Sequence, residues 1–239
     1  YLIRASAIRS ANDAATALGE AISGSEKIFI SDMNKAAKKM GMNSTNFLNA
    51  HGLTEIGHYS TAKDMLILAR RLMLDYPEYF NIFSRLETFA SGKTIKNTNY
   101  KFLRQYNGAS GIKTGYTNAA GHNLAASAKR NEKQLIGIII GTSSSSERAK
   151  KMIGLFDDAF KAIPKKKKLS KLTPLNLAKV NSTGQIAAVS VPLAKPRSFE
   201  DMLESQGKEN IKELTKNLNE SLKRNNVNVQ IGIYKTLVS

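Results

Sequence analysis

Two apolar segments joined by a short polar turn place the strongest constraint on the fold of this chain. Residues Leu124 to Arg130 and Gln134 to Thr142 are rich in alanine, isoleucine and leucine, and the polar pair Asn131-Glu132 separates them. This arrangement predicts two antiparallel strands joined as a β-hairpin. The amphipathic pattern that follows, which ends at Ile163, predicts a helix that packs its apolar side on the hairpin.

The first half of the chain has helical periodicity instead. Apolar residues recur at spacings of three and four in three segments, which end at Gly24, at Gly41 and before Pro77. The third segment opens with Thr61 and Asp64, a pair that can cap a helix N-terminus. Helices followed by an antiparallel sheet and another helix predict an α+β fold, with an antiparallel sheet flanked by helices plus a helical lobe.

The composition changes beyond Ile163. Four of the five prolines and the run Lys165 to Lys168 fall between residues 164 and 198, which predicts a linker. A helical pattern follows over residues 209 to 224, and alternating apolar and polar residues from Val227 predict a strand. We therefore expect three parts: a folded domain over 1–163, a basic linker with a helix over 164–226, and a terminal strand over 227–239.

An excess of basic residues narrows the possible partners. The 239 residues include 36 lysines and arginines against 19 acidic residues, a formal charge of +17. This charge suits nucleic acid, an anionic membrane surface or an acidic polymer such as bacterial wall. No aromatic RNA-binding motif or zinc-finger spacing accompanies it, so we expect no nucleic acid partner. The absence of cysteine excludes disulfides and cysteine-ligated zinc, and no apolar run reaches transmembrane length.

A Lys-Thr-Gly sequence just before the hairpin carries the clearest chemistry. The ammonium of Lys113 can attract a substrate carboxylate, and the hydroxyl of Thr114 can donate a hydrogen bond to it. Gly115 permits close backbone approach, and the amide of Tyr116 can point at a developing oxyanion. An exposed turn is the simpler interpretation of the Lys-Thr-Gly sequence alone. The flanking residues favour a substrate-binding site instead.

A Ser-Ala-Asn sequence before the first helix is a second candidate. The hydroxyl of Ser10 could relay a proton, and the amide of Asn12 could bind a substrate carbonyl. The simpler alternative is a helix cap, because Ser, Asn and the following Asp13 are all favoured at that position. His51 also invites a catalytic or metal-binding interpretation, but it has no partner at ligand spacing, so structural packing is favoured.

In this order, the motifs resemble those of the serine-type D-alanyl-D-alanine carboxypeptidases, the low-molecular-mass penicillin-binding proteins of the peptidase S11 family. Ser10 to Asn12 resembles the family's Ser-x-Asn motif, and Gly111 to Thr117 resembles its Lys-Thr-Gly strand. The segments His51 to Leu53 and Tyr59 to Asp64 are similar to the sequence between those motifs. The resemblance covers residues 1–163 and implies a penicillin-binding/β-lactamase-like fold without a metal or organic cofactor.

The family's mechanism implies a role for each matching residue. A serine in a Ser-x-x-Lys motif attacks the amide between two terminal D-alanines of a peptidoglycan stem peptide, and water later releases the acyl-enzyme. By resemblance, Ser10 assists proton transfer to the leaving D-alanine and Asn12 holds the substrate backbone. Lys113 and Thr114 steer the terminal carboxylate, and the amide of Tyr116 supplies half of the oxyanion hole.

The resemblance also implies a further cation, further ligands and a location. Arg148 is similar to a family arginine that meets the terminal carboxylate, a contact that suits its fork of donors; a solvated helix residue is the alternative. β-Lactams are expected to acylate the same enzyme. Because its substrate is the cell wall, the expected location is the periplasm or cell envelope.

One departure from the family pattern is serious. The Ser-x-x-Lys motif should precede Ser-x-Asn by a few dozen residues, and nine residues precede Ser10 here. Three such strings occur later in the chain, all in the wrong order: Ser60 to Lys63, Ser110 to Lys113 and Ser205 to Lys208. We therefore expect an N-terminally truncated domain that is catalytically inactive alone.

Two other functions remain open. A class A β-lactamase carries similar motifs but needs an acidic deacylation residue, and no suitably flanked glutamate is identified. A non-catalytic peptidoglycan-binding protein is the second alternative. Residues Val229 to Tyr234 resemble the first strand of a SPOR domain, which binds denuded glycan strands, although an ordinary edge strand would look the same. Membrane-surface association stays open on charge alone, because no amphipathic anchor is identified.

Overall fold

The first part of the chain folds into a helical lobe. The computed structural model describes residues 1–90 and 92–163, together with the backbone of residues 228–235. The helices of this lobe are α1 (Leu2–Arg4), a π-helix (Ala5–Arg9), α2 (Asn12–Ser23), α3 (Glu26–Met40), α4 (Ala62–Asp75), α5 (Pro77–Phe80) and a 3-10 turn (Asn81–Ser84). The three helical segments expected from periodicity are confirmed as α2, α3 and α4.

The ends of these helices follow from local chemistry. The hydroxyl of Ser25 accepts a hydrogen bond from the Ile28 amide, and that of Thr61 accepts one from the Asp64 amide. Each bond satisfies an amide that has no partner within its own helix. Gly41 ends α3 with φ of 86°, a left-handed conformation that a side chain would disfavour. The capping role expected for Thr61 is therefore confirmed.

A small hairpin and a short helix connect the lobe to the main sheet. Strands β1 (Glu87–Ala90) and β2 (Lys93–Lys96) pair antiparallel, and α6 (Tyr100–Gln105) follows them. The periodicity of the sequence did not predict these elements, because four to six residues are too few to display a period. Their importance lies in the connecting residues 97–99, which reach the candidate site.

The main sheet is antiparallel and four-stranded, with the order β3-β4-β5-β6. Its members are β3 (Ala109–Thr117), β4 (Gly121–Arg130), β5 (Lys133–Thr142) and β6 (Asn228–Lys235), and α7 (Ser145–Ala162) follows β5 in the chain. The predicted hairpin is confirmed as β4 and β5, with Arg130 paired to Lys133 beside the turn. The predicted amphipathic helix is confirmed as α7.

Both faces of the sheet are covered, which explains why its strands are almost continuously apolar. Ile136 and Ile138 of β5 pack into a cluster with α3 and α4, whereas Leu135 and Ile139 pack with α6 and α7 on the opposite face. Alternate residues of a strand point to opposite faces, so a strand buried on both sides needs apolar residues throughout. None of the helices in the described residues is long and apolar enough to cross a membrane.

The C-terminal predictions have different outcomes. The expected strand is observed as β6, which pairs antiparallel with β5. The linker expected over 164–226, including the helix at 209–224, lies outside the described residues. Whether a SPOR domain begins at β6 stays a prediction.

Candidate active site

Strand β3 brings Lys113 to Ser10 across 103 positions of sequence. The Lys113 Nζ donates hydrogen bonds to the Ser10 Oγ and to the backbone oxygen of Thr114, each at 2.7 Å. The Lys113 residue is buried, with 7% of its surface exposed. The two motifs that were recognised separately in the sequence therefore share one site.

The backbone, rather than the rotamer alone, delivers the Ser10 hydroxyl to this position. Ser10 has φ of 64° and ψ of 42°, the left-handed region, directly after the π-helix. A residue other than glycine held in this region costs about 1–3 kcal/mol, and such residues cluster at functional sites. Ala11 is the N-cap of α2 and no side chain caps that helix. Ser10 is therefore not a helix cap, which corrects the simpler interpretation of this motif.

Two buried cations share the site. Burial, and secondarily the charge of Arg148, lowers the pKa of Lys113 from 10.5 to about 7. Burial alone lowers the pKa of Arg148 from 12.5 to about 10. Neither side chain forms a salt bridge with a carboxylate in the described part of the chain. Two like charges without a counter-ion favour the binding of an anion.

Arg148 lies in the first turn of α7, and it is 6% exposed. Its Nη1 donates to the backbone oxygen of Asn123 at 3.2 Å, which anchors the guanidinium to β4. Its Nε is buried and has no hydrogen-bond partner within the described residues. The alternative of a solvated helix residue is therefore wrong, because Arg148 is a buried side chain that borders the cavity.

A second hydroxyl lies beside the Lys-Thr-Gly threonine. The Thr114 Oγ1 donates to the Thr98 Oγ1 at 2.7 Å, and the Thr98 amide donates to the Ile8 oxygen at 3.0 Å. Thr98 belongs to the connection between β2 and α6. Sequence reasoning missed this residue, because no local pattern places that connection beside β3.

A cavity of about 300 Å³ opens above these groups. Twelve residues from six separate stretches of the chain line it: Ser10, Asn12, His51, Gly52, Leu53, Thr98, Thr114, Gly115, Tyr116, His122, Ser145 and Arg148. All of the predicted site residues except Lys113 are in this lining, and Lys113 is buried behind it. Asn12 is exposed on the wall that also carries Ser10.

A loop that contains His51 contributes another part of the cavity wall. The His51 Nδ1 accepts a hydrogen bond from the Leu53 amide at 3.2 Å, so the imidazole stabilises its own loop. The Thr54 Oγ1 of the same loop donates to the Thr117 Oγ1 at the end of β3, at 2.9 Å. The described residues contain no cluster of histidine and acidic side chains that could hold a metal ion. His51 therefore combines a local structural bond with a place in the cavity wall.

Tyr116 and His122 form a stacked pair at the sheet end of the cavity. Their ring centroids are 4.3 Å apart, and the two residues are cross-strand partners in β3 and β4. Burial and the nearby Arg148 charge lower the pKa of His122 below its usual 6.5. Sequence reasoning missed His122, which lies opposite Tyr116 because β3 pairs with β4, a pairing separate from the predicted hairpin of β4 and β5.

The serines of the displaced Ser-x-x-Lys strings have other roles. Ser60 is 1% exposed and shares a hydrogen bond with the Thr45 hydroxyl at 2.8 Å. The Ser110 Oγ bonds to the Ser127 Oγ at 2.8 Å, while Lys113 of the same string bonds to Ser10. Ser205 lies outside the described residues. Neither described serine is paired with the lysine of its own string.

Comparison with known proteins gives a consistent result. A family model described as D-alanyl-D-alanine carboxypeptidase, peptidase S11, matches residues 1–144. D-alanyl-D-alanine carboxypeptidase DacF of Bacillus subtilis strain 168 is 41% identical over 164 residues, which are 66% of this chain and 42% of that protein. D-alanyl-D-alanine carboxypeptidase DacC of Escherichia coli K12 is 39% identical over 142 residues, 59% of this chain and 35% of that protein.

Solved structures show the same likeness in three dimensions. Penicillin-binding protein 5 of Haemophilus influenzae has a TM-score of 0.65 and 34% identity, over 67% of this chain and 47% of that one. Penicillin-binding protein D2 of Listeria monocytogenes in its ampicillin-bound form has a TM-score of 0.62 and 33% identity, over 66% of each chain. The chain spans 35–42% of the length of the two curated relatives above.

Proposed function

The chain belongs to the D-alanyl-D-alanine carboxypeptidase family, peptidase S11, and we propose that it carries the substrate-recognition part of such an enzyme. The proposed reaction releases the terminal D-alanine from peptidoglycan stem peptides through a serine acyl-enzyme. The observation that carries the proposal is the contact of 2.7 Å between the Lys113 Nζ and the Ser10 Oγ, beside a cavity that Arg148 also lines.

In this proposal the two buried cations bind the carboxylate of the terminal D-alanine. Thr114 and Arg148 both line the cavity, and the Thr114 hydroxyl and the Arg148 guanidinium can each donate a hydrogen bond to a carboxylate oxygen. Lys113 adds positive charge from behind them. Hydrogen bonds between a charged donor and a carboxylate are about twice as strong as neutral ones, so the free acid is preferred over an uncharged end.

The Lys113–Ser10 pair would move the proton. With a pKa of about 7, Lys113 is shared between its ammonium and amine forms near neutral pH. A group with this property can both give and accept a proton under working conditions. The proposed path carries a proton from the Lys113 Nζ through the Ser10 Oγ to the nitrogen of the leaving D-alanine. Asn12 would hold the substrate backbone. The backbone amides of Gly115 and Tyr116 would lie beside the scissile carbonyl of the bound substrate.

The proposed nucleophile belongs to a Ser-x-x-Lys segment that, by the order of motifs in the family, precedes Ser10. β-Lactams are proposed as second ligands of the complete site, in line with the relative that was solved in its ampicillin-bound form. The proposed location is the cell envelope, on the periplasmic side where stem peptides occur. Binding to denuded glycans through the terminal strand is a separate proposal, because it rests on the SPOR resemblance alone.

Ligand binding by the chain itself tests the proposal. We expect N-acetyl-L-lysyl-D-alanyl-D-alanine to bind at least about tenfold more tightly than the same peptide with a C-terminal carboxamide, because only the acid pairs with the cations. NMR titration at pH 6 would give both dissociation constants and would show shifts at the amides of residues 114–116. Equal binding of acid and amide, or shifts confined to another surface, would contradict the proposal.

Acylation tests the catalytic half separately. We expect no labelling by a fluorescent penicillin with this chain alone, and labelling when a Ser-x-x-Lys segment of the family pattern is joined to Tyr1. The matched control replaces the serine of that segment with alanine. A joined protein that is folded by circular dichroism, and that labels equally fast after Lys113→Met, would exclude Lys113 from the reaction.

A further inference from the structure

Thr98 extends the proposed carboxylate site by one hydroxyl. Its side chain lines the cavity and lies 2.7 Å from the Thr114 Oγ1. No other contact with an acceptor or donor is recorded for its hydroxyl in the described part of the chain. A hydroxyl in this position either competes for the single proton of Thr114 or supplies a proton to it.

The direction of the bond decides which of these happens. In the structure without a ligand, Thr114 donates its proton to Thr98. A carboxylate in the cavity accepts protons only, so Thr114 must turn its O–H toward that anion. The bond between the two threonines is then kept only if the Thr98 side chain turns so that its hydroxyl donates to the Thr114 oxygen. Donation into that oxygen polarises the outgoing O–H and strengthens its bond to the anion.

Hydrogen bonds hold the backbone around Thr98 in place, so its hydroxyl stays beside Thr114. The Thr98 amide donates to the Ile8 oxygen at 3.0 Å, close to the turn that positions Ser10. On one side, the buried Asn97 side chain donates to the Arg85 oxygen at 2.8 Å and accepts from the Asn99 amide at 2.7 Å. These bonds restrain the connection between β2 and α6 without using the Thr98 hydroxyl, which stays free to reorient.

We propose that Thr98 is a positioning residue for anion recognition, which donates a hydrogen bond to Thr114 when a C-terminal carboxylate occupies the cavity. The inference rests on the proposed function, because it requires a carboxylate ligand. Thr98 affects the carboxylate by donating a hydrogen bond to Thr114. Thr114, Arg148 and Lys113 attract the carboxylate directly.

The test compares two peptides in three variants of the chain. For Thr98→Val, which removes the hydroxyl and keeps the shape, we expect the preference for the free acid over the carboxamide to fall about fivefold, the scale of one hydrogen bond. For Thr98→Ser, which keeps the hydroxyl, we expect the preference to return to within about twofold of the parent. Thr94→Val, an exposed threonine on β2 outside the cavity, is the matched control and should leave the preference unchanged.

A structural role alone would affect both peptides equally, so the acid-to-amide ratio separates the two explanations. In a Thr114→Val background, Thr98→Val should change the ratio no further, because the acceptor of its bond is gone. A folded Thr98→Val chain that keeps the full preference of the parent would overturn this inference and leave the proposed function intact. A parent chain without any preference for the acid would overturn both.

Discussion

Two buried polar clusters in this molecule show how a structural cluster differs from a reactive one. In the helical lobe, Asp64 is 3% exposed, and its Oδ2 accepts bonds from the Ser44 amide at 2.8 Å and from the Thr45 hydroxyl at 2.7 Å. At the sheet, Lys113 and Arg148 are equally buried, but both are cations and no carboxylate lies against them in the described residues. The first cluster is complete without a ligand.

The two clusters differ in whether one charge or two like charges are buried. A buried charge that is met by several donors stabilises the loops that provide those donors. Two like charges that are buried together destabilise the folded state, and they persist where a ligand supplies the opposite charge. The Asp64 cluster therefore joins loop 43–46 to α4, whereas the Lys113 cluster is prepared for an anion. Substitutions in the Asp64 cluster should therefore lower stability, whereas substitutions in the Lys113 cluster should lower the affinity for an anion.

Replacing Lys113 should give the largest effect. For Lys113→Met, we expect affinity for the acid peptide to fall about 100-fold, because a buried charge–carboxylate interaction of about 3 kcal/mol is removed. We expect the melting temperature to rise in the same variant, since an apolar chain of similar length replaces an uncompensated buried amine. NMR titration and calorimetry would measure the two changes. A variant that loses both affinity and stability would abolish the contrast between the clusters.

Replacing Asp64 should have the opposite pattern. For Asp64→Ala, we expect the free energy of unfolding to fall by about 2 kcal/mol, because the Ser44 amide and the Thr45 hydroxyl both lose their bond to the buried carboxylate. Urea unfolding would measure the loss, and titration at a temperature where the chain stays folded should show an unchanged preference for the acid peptide. A reduced preference in the folded variant would show that the clusters are coupled.

The pH dependence of binding sharpens the comparison further. Because the pKa of Lys113 is about 7, we expect affinity for the acid peptide to fall about tenfold between pH 6 and pH 8 as the ammonium is lost. His122, whose pKa is lowered below 6.5, is neutral over most of this range. In the Lys113→Met variant, affinity for the acid peptide should no longer depend on pH over this range. An equal pH dependence of affinity in the parent chain and the variant would show that a group other than Lys113 titrates.

Stability has its own pH dependence, with a sign fixed by the same residue. Between pH 7 and pH 10.5 the unfolded chain holds a proton on Lys113 that the native chain has largely lost. The free energy of unfolding should therefore rise with pH across this window. Urea unfolding at several pH values would detect the rise, and Lys113→Met should remove it.

A substitution outside both clusters should have the smallest effect. Gly154 lies in α7 with open space around the position that a Cβ would take. Gly154→Ala should therefore raise the free energy of unfolding by about 0.8 kcal/mol through helix propensity alone. Binding of the acid peptide should stay unchanged. Any change in binding would show that added stability by itself alters the site, which would weaken the interpretation of Lys113→Met.

Local patterns predicted most of the fold, and long-range contacts account for what they did not predict. The helices ending at Gly24 and Gly41, and the hairpin formed by β4 and β5, repeat their patterns over ten or more residues, so their periods were visible. The Lys113 site was accessible through recognised motifs. Thr98 was not, because it reaches the cavity from a short connection whose position depends on bonds to distant residues such as Ile8.

The left-handed backbone at Ser10 was also beyond prediction. Its neighbours Asn12 and Asp13 made the segment look like an ordinary helix start, and only the tertiary contact with Lys113 shows why the serine turns away from that helix. Strained positions break local preferences by definition, so patterns based on those preferences miss them.

The hydroxyl contact between Thr54 and Thr117 is a weak link between two segments that each provide residues to the cavity wall. It crosses from the His51 loop to the end of β3, and both side chains are accessible to solvent. A single exposed hydrogen bond of this kind contributes only about 1 kcal/mol, close to twice the thermal energy. A bulky group could displace it at little energetic expense while the cationic floor stays unchanged. The loop and the strand end are therefore held together less firmly here than Lys113 and Arg148 are held by their buried hydrogen bonds.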